Sequence, residues 1–225
     1  MSDVILRELT ADELPEAAAL LGRGLRDNPV SVKLLGSDQA RRSAALGGIY
    51  GTVLEILHPK GKVLGAINEG KIIGVCALIP PGKREPSGPE KLRLLKAAVK
   101  GAPLIASLRA KKWADHWLEL DAREQTHWFL GPVGIEPDFQ RRGVGTALVE
   151  LCCERVDAQK GVIFLRTDQP DSVPFFTKFA FKTAAETEVI DVPNWIMLRP
   201  AKDDSARWAR PPSAPQYALP KVKPR

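Results

Sequence analysis

The chain is an α/β protein by its patterning, and three observations carry that reading. Two runs rich in Val, Ile and Leu, at 62–67 and 71–79, are joined through Asn68-Glu69-Gly70, which is a hairpin signal. An apolar strand at 127–135 passes through a short turn into a Gly-containing loop that opens a helical pattern at 143–158. Another Val/Ile/Phe-rich strand follows at 161–167, so strands alternate with helices.

The elements follow in order. Residues 4–9 read as a first strand. Thr10-Ala-Asp-Glu13 matches a capping box, which predicts a helix start. Leu14, Ala17, Ala18, Leu21 and Leu25 form its apolar stripe, and Asn28-Pro29 predicts its end. A second helix is expected over 38–57, with Ala44, Ala45, Ile49, Val53 and Ile56 among its apolar positions. After the hairpin, residues 80–89 are rich in Pro and Gly. Residues 90–120 look helical, with a break at Gly101-Ala102-Pro103 and Pro103 starting the second piece. Trp113 and Trp117 stand one helical turn apart and read as core packing. In the helix at 143–158, Val144, Ala147, Leu148, Leu151, Cys152 and Val156 form the buried stripe. A short helix at 171–178 and strands at 180–190 and 194–199 close the domain. Residues 1–200 thus form one domain with a basic helical insert at about 83–120. Residues 201–225 read as a flexible, Pro-rich, basic tail.

Composition narrows the function classes. A length of 225 residues, 44% hydrophobic and 27% charged, suits one soluble domain. No apolar run approaches the ~20 residues of a membrane helix, so membrane insertion is not expected. The first residues, Met-Ser-Asp-Val-Ile-Leu-Arg, show no signal-peptide pattern, and a cytoplasmic location is expected. Cys76, Cys152 and Cys153 cannot all pair, which points to reduced, buried thiols. The net charge is +6, but the tail carries six basic residues against Asp203 and Asp204. The basic character is largely a tail property, and nucleic-acid binding is not expected. From Lys83 to Lys112 there are nine Lys or Arg against Glu85 and Glu90, read as a solvated helical face. Its sharper alternative is a surface for an acidic substrate, partner or membrane. Three scattered His and no Cys/His cluster argue against a metal.

The chemistry concentrates in Pro137-Asp-Phe-Gln140-Arg141-Arg142-Gly143-Val144-Gly145-Thr146. Such a loop turns consecutive backbone N–H groups toward one point at a helix N-terminus. Unpaired donors and the positive dipole end there bind phosphate. Gly143 and Gly145 leave the approach open, and Arg141 and Arg142 add charge. The loop lacks the Gly-Lys-Ser/Thr ending of nucleotide triphosphate loops and the spacing of the dinucleotide fingerprint.

The order strand, Pro-x-x-Gln-x-x-Gly-x-Gly, helix resembles the acetyl-coenzyme A site of the GCN5-related N-acetyltransferases. The resemblance covers most of residues 1–200 and is most specific in 127–182. It implies a mixed, mostly antiparallel sheet of about seven strands flanked by helices, with a splayed pair of central strands. It implies an acetyl-CoA-dependent N-acetyltransferase whose partners are that co-substrate and an amine acceptor. Residues 140–146 are then expected to hold the pyrophosphate. The segment Val133-Gly134-Ile135 is expected at the pantetheine arm, with Val133 and Ile135 making the backbone contacts. Ser172 and Phe176 are expected beside the coenzyme. Two positions depart from the family. Phe129 stands where members often place a Glu base, so His127, two residues earlier on the same strand face, becomes the candidate base. Its structural alternative is a His that only packs at the strand entry. His116, Asp115 and Glu119 are weaker candidates. Asp171-Ser-Val-Pro-Phe-Phe-Thr-Lys-Phe-Ala-Phe181 resembles Asn-x-x-x-Phe-Tyr-x-x-x-Gly-Phe, with Phe176 in place of the Tyr proton donor. Ser172, next to the motif's Asn position, is a weak candidate donor; Ala180 replaces Gly. The strand Pro132-Val-Gly-Ile135, the first helix and Trp195-Ile-Met-Leu198 most resemble the small-molecule branch related to puromycin acetyltransferase. A primary amine of a small molecule is therefore the expected acceptor. The alternatives are a protein amine and a weakly catalytic acyl-coenzyme A sensor. Oligomeric state stays open, a homodimer included.

Overall fold

The computed structural model describes residues 4–101 and 126–202. Seven strands form one sheet: β1 (Ile5–Glu8), β2 (Lys62–Asn68), β3 (Lys71–Ile79), β4 (Trp128–Ile135), β5 (Ile163–Thr167), β6 (Lys182–Val189) and β7 (Val192–Arg199). Their spatial order is β1-β2-β3-β4-β5-β7-β6. Every neighbouring pair is antiparallel except β4 and β5. The helices described are α1 (Leu14–Gly24), α2 (Pro29–Leu35), α3 (Gln39–Leu57), α4 (Gly88–Gly101), α5 (Val144–Asp157) and α6 (Ser172–Thr177).

Two tight hairpins set the register of the sheet. Glu69 and Gly70 both take positive φ, as a two-residue turn between twisted strands requires. Ile190 and Asp191 do the same between β6 and β7, so β7 begins at Val192, two residues before the expected start. The sheet is covered on both faces, which is why β3 reads as an unbroken apolar run. Val75, Ala77 and Ile79 pack with Leu14, Leu21 and Leu54 of α1 and α3. Cys76 and Leu78 point the other way, to Leu148, Cys152 and Val156 of α5. Arg199 of β7 ties this second layer together, pairing with Asp157 at 2.6 and 2.8 Å and donating to the Phe179 carbonyl at 3.0 Å.

The capping box is present. The Glu13 carboxylate accepts from the Thr10 N–H at 2.9 Å and from its hydroxyl at 3.0 Å. One turn of 3₁₀ helix, Ala11–Glu13, precedes α1. The end signal at Asn28-Pro29 needs correction. Helix α1 is over by Leu25, and Pro29 starts α2, with Asn28 as N-cap and Pro29 at the first helical position. Proline stops a helix before it and suits the start of one after it, so the same dipeptide signals both. In α3, Asp38 caps the start by accepting the Arg41 N–H at 3.0 Å. Its buried face includes Ala45, Leu46, Leu54, Ile56 and Leu57, while Ala44 is exposed. The same face buries Arg42, which no apolar pattern predicts.

Helix α4 is paired to its neighbours by charge. Lys60 bonds Glu90 at 2.7 Å, Lys91 meets Glu85 at 3.4 Å and Arg93 pairs with Glu55. Part of the basic run is thus a solvated, ion-paired surface. Pro103, Trp113, Trp117, Asp115, His116, Glu119 and residues 203–225 lie outside the described residues. Among the described residues, no helix is long and apolar enough to cross a membrane.

Candidate active site

Strands β4 and β5 make the opening. They pair only at Trp128 with Ile163 and Phe129 with Phe164, and then diverge. Between Cys76 and Leu78 the β3–β4 register shifts, and Gly131-Pro132 occupies the irregular stretch of β4. Gly131 takes φ +144, a conformation open to glycine. Beyond the shift the Glu136 N–H bonds the Ile73 carbonyl at 3.0 Å. Antiparallel pairs alternate, so Gly134 pairs with Val75 through its backbone, whereas Val133 and Ile135 turn their polar backbone groups toward β5. That side carries no strand partner there. The result is a short edge without a strand partner, suited to an extended amide-bearing chain, although its Ile135 carbonyl accepts the Gln140 side chain. Gly134 has a packing role besides: a Cβ there would lie 2.7 Å from Leu21 Cδ2.

The loop after β4 forms an open cradle of backbone N–H groups at the start of α5. Pro137–Phe139 is a 3₁₀ turn, and the Gln140 side-chain amide donates to the Ile135 carbonyl at 3.2 Å, clamping the loop to the strand end. Arg141 takes φ +58 and Gly143 takes φ +86. Gly143 is the N-cap of α5 and brings no side chain to cap the helix. The first ladder bond there runs from the Ala147 N–H to the Gly143 carbonyl at 3.0 Å. The N–H groups of Val144, Gly145 and Thr146 precede it and leave the helix end. Beyond its two chain neighbours, nothing lies within 4 Å of where a Gly143 Cβ would stand. Arg142 sits over the Phe139 ring at 5.6 Å, and both Arg141 and Arg142 are exposed. Glu136 would oppose an anion here, but Arg23 neutralises it through two bonds of 2.8 and 2.7 Å. Free N–H groups, a cradle without side chains and cationic flanks fit a pyrophosphate.

Across the splay lies the face covered by α1, α2 and α3. Phe129, Phe164, Arg166 and Asp168 share it by strand alternation. The Phe129 and Phe164 rings are 5.9 Å apart, and the Arg84 guanidinium sits 4.6 and 4.7 Å from them. Arg166 lies 5.5 Å from the Phe129 ring. Tyr50 of α3 comes to this region; burial and the Asp168 charge push its phenol pKa upward. Asp168 accepts the Val30 N–H at 2.7 Å and the Asn28 amide at 3.2 Å, while burial raises its pKa. His127 is half-buried in the bend before β4, two residues before Phe129.

The segment after β5 completes the opposite wall. Ser172 begins α6 and is half-buried. Phe176 is 7% exposed, edge-on to Phe175 at 5.1 Å and to Phe181 at 5.7 Å. Phe175, which stands at the motif's Phe before the Tyr position, is the ring beside the loop that opens α5: its Cζ lies 3.6 Å from where a Gly145 Cβ would stand. The Arg23–Glu136 pair, Arg42, Tyr50, Arg84 and Asp168 had no sequence signal. Apart from Arg42, whose partners flank the preceding helix, each meets partners far away in the chain.

The site is thus an opened parallel strand pair with a cradle of backbone N–H groups at its end. The profile of the acetyltransferase (GNAT) family matches residues 38–181, and the chain belongs to that family. It is an acetyl-CoA-dependent N-acetyltransferase. Similar solved structures show the same fold. One, from Corynebacterium glutamicum, is described as histone acetyltransferase HPA2 and related acetyltransferase. It is 19% identical with a TM-score of 0.63, over 89% of this chain and 97% of that one. The Drosophila melanogaster polyamine N-acetyltransferase is 13% identical with a TM-score of 0.54, over 88% and 100%. The ribosomal-protein-S18-alanine N-acetyltransferase of Escherichia coli is 12% identical with a TM-score of 0.53, over 88% and 94%.

Proposed function

We propose that the chain acetylates a primary amine of a small molecule. The carrying observation is the cover over the acceptor side of the splay. Helix α2 packs on Phe164 and the β6–β7 hairpin, and Arg84 is stacked on Phe129 and Phe164. A flat protein surface has little room to reach the thioester there, whereas a small amine has. In this reading the cradle 140–146 holds the pyrophosphate of acetyl-CoA. The pantetheine amides pair with the backbone of Val133 and Ile135. The amine nitrogen attacks the thioester carbon, the C–N bond forms and the C–S bond breaks. The amine proton passes to His127, directly or through water, and coenzyme A leaves as a thiolate. A thiolate is stable enough that Phe176 in place of a phenol does not block turnover.

A panel of primary amines, followed by release of the coenzyme A thiol, tests this. Small amines should turn over, and unstructured peptides should not. Preferential turnover of a peptide amine would favour a protein acceptor. Tight acetyl-CoA binding with no turnover across the panel would favour the sensor.

A further inference from the structure

Helix α2 has only seven residues, too few for stability of its own. Its apolar anchors are Val30 and Leu35, and three polar clamps hold it. At its start, Asp168 at the end of β5 binds the Val30 N–H and the Asn28 amide. Before it and after it, buried Arg42 of α3 donates to the Arg26 carbonyl at 2.8 Å, Asp27 at 2.7 Å and the Gly36 carbonyl at 2.8 Å. On its outer side, Lys33 pairs with Asp191 of the β6–β7 turn at 3.1 Å. Of these, only the Asp168 clamp reaches the strand that leaves β4 to open the site. Val30, Phe164 and Phe129 share one apolar cluster, so α2 is the lid of that opened face.

We propose that Asp168 is a positioning residue for the acceptor: it pins the start of α2 to the opened end of β5 and so sets the wall against which the amine is held. The role rests on the acetyltransfer reading above. It requires no bond making or proton transfer at Asp168. The Asp168 carboxylate uses one oxygen on a backbone N–H and the other on a side-chain amide, which is a fixing geometry. The Asp168 hydrogen bonds go to Asn28 and Val30 and not to residues 136–146, so the clamp should act on the amine and not on the coenzyme.

The test combines Asp168→Ala, Asp168→Asn and Asn28→Ala. Hydrogen exchange is read over residues 29–35, acetyl-CoA affinity by calorimetry, and kcat and KM for the best amine. Asp168→Ala strips a buried N–H of its partner. Its α2 amides should exchange at least about tenfold faster and its amine KM should rise about tenfold, with coenzyme affinity and kcat within about threefold. Asp168→Asn keeps an oxygen for the Val30 N–H and should restore most of both. Asn28→Ala, which leaves the Val30 bond, should fall between and covers the case of a poorly folding Asp168→Ala. Unchanged exchange and KM in Asp168→Ala or, if it does not fold, in Asn28→Ala would overturn the proposal. So would an Asp168→Asn enzyme with collapsed kcat and normal KM, which would mean the carboxylate moves a proton. If wild type turned over no amine, the acetyltransfer reading would fall separately, and the exchange measurement alone would decide the clamp.

Discussion

At the scale of single residues, the site is built from what is missing as much as from what is present. Gly143 supplies a left-handed turn and an open space in front of three unpaired N–H groups. Gly143→Asp should fold, because Asp tolerates left-handed φ better than most residues. Its carboxylate would stand where the phosphates bind, and like charges in contact cost several kcal/mol. Calorimetry should show coenzyme A affinity falling on the order of 100-fold. Unchanged affinity in the folded variant would remove the pyrophosphate assignment. Phe176 poses the complementary question. Its ring is buried between Phe175 and Phe181, and a phenolic hydroxyl there needs a partner. General acid help is worth ~10²–10⁴-fold where it is used, but a thiolate needs it little. Phe176→Tyr should therefore raise turnover by no more than about tenfold and leave the reaction class unchanged. A gain close to the upper limit would mean that protonation of the thiolate limits the wild-type enzyme.

At the scale of elements, the ends of short helices carry the interest. Helix α6 closes with the Phe181 N–H on the Phe176 carbonyl at 3.4 Å and the Ala180 N–H on the Thr177 carbonyl at 3.1 Å. This places Ala180 in the left-handed position, at φ +65, that glycine usually fills. Ala180→Gly should relieve that strain at some cost in unfolded-state entropy, for a net gain of about 1 kcal/mol. A thermal melt should rise by about 2–4 °C. At the other end of the domain, Glu13 joins Arg7 and Thr10 at the start of α1. The Arg7 bond, then the Thr10 N–H, lower its pKa to about 2 from 4.5. A lowered carboxyl pKa stabilises the fold above the unfolded value, and that stabilisation fades as pH falls through the folded one. The melting-temperature gap between wild type and Glu13→Gln should thus be full at pH 6 and shrink between about pH 4.5 and pH 2. A gap independent of pH would show that the contact is not charge-based.

At the scale of the molecule, the sheet is a sandwich of two cores, and the thiols show how tightly one of them is closed. Cys76 Sγ and Cys152 Sγ lie 3.6 Å apart, and both residues are buried. The contact with Cys152 and burial raise the Cys76 pKa; burial pushes Cys153 up to about 12. Native protein at pH 8 should react with a thiol reagent far more slowly than free cysteine, with labelling limited by unfolding. Fast labelling of any of the three would contradict the closed core. What sequence alone determined is what local chemistry determines. The capping box, the Asn68-Glu69-Gly70 turn, the Asp38 start of α3 and the loop Gln140–Gly145 each act within a few residues, so their patterns are readable in one dimension. The family likeness added the sheet and the splay, which strand periodicity cannot order. The second role of Asn28-Pro29 was lost because the dipeptide that ends α1 also begins α2. Arg42 was invisible because its neighbours in sequence describe an apolar helix face, while its partners are the Arg26 and Gly36 carbonyls and the Asp27 carboxylate, on either side of α2. Asp168 was invisible for the same reason: its partners lie about 140 residues earlier. Only the tertiary structure brings β5 beneath α2 and makes an ordinary aspartate the fastening of the acceptor wall, because a carboxylate takes its role from donors that the fold places beside it.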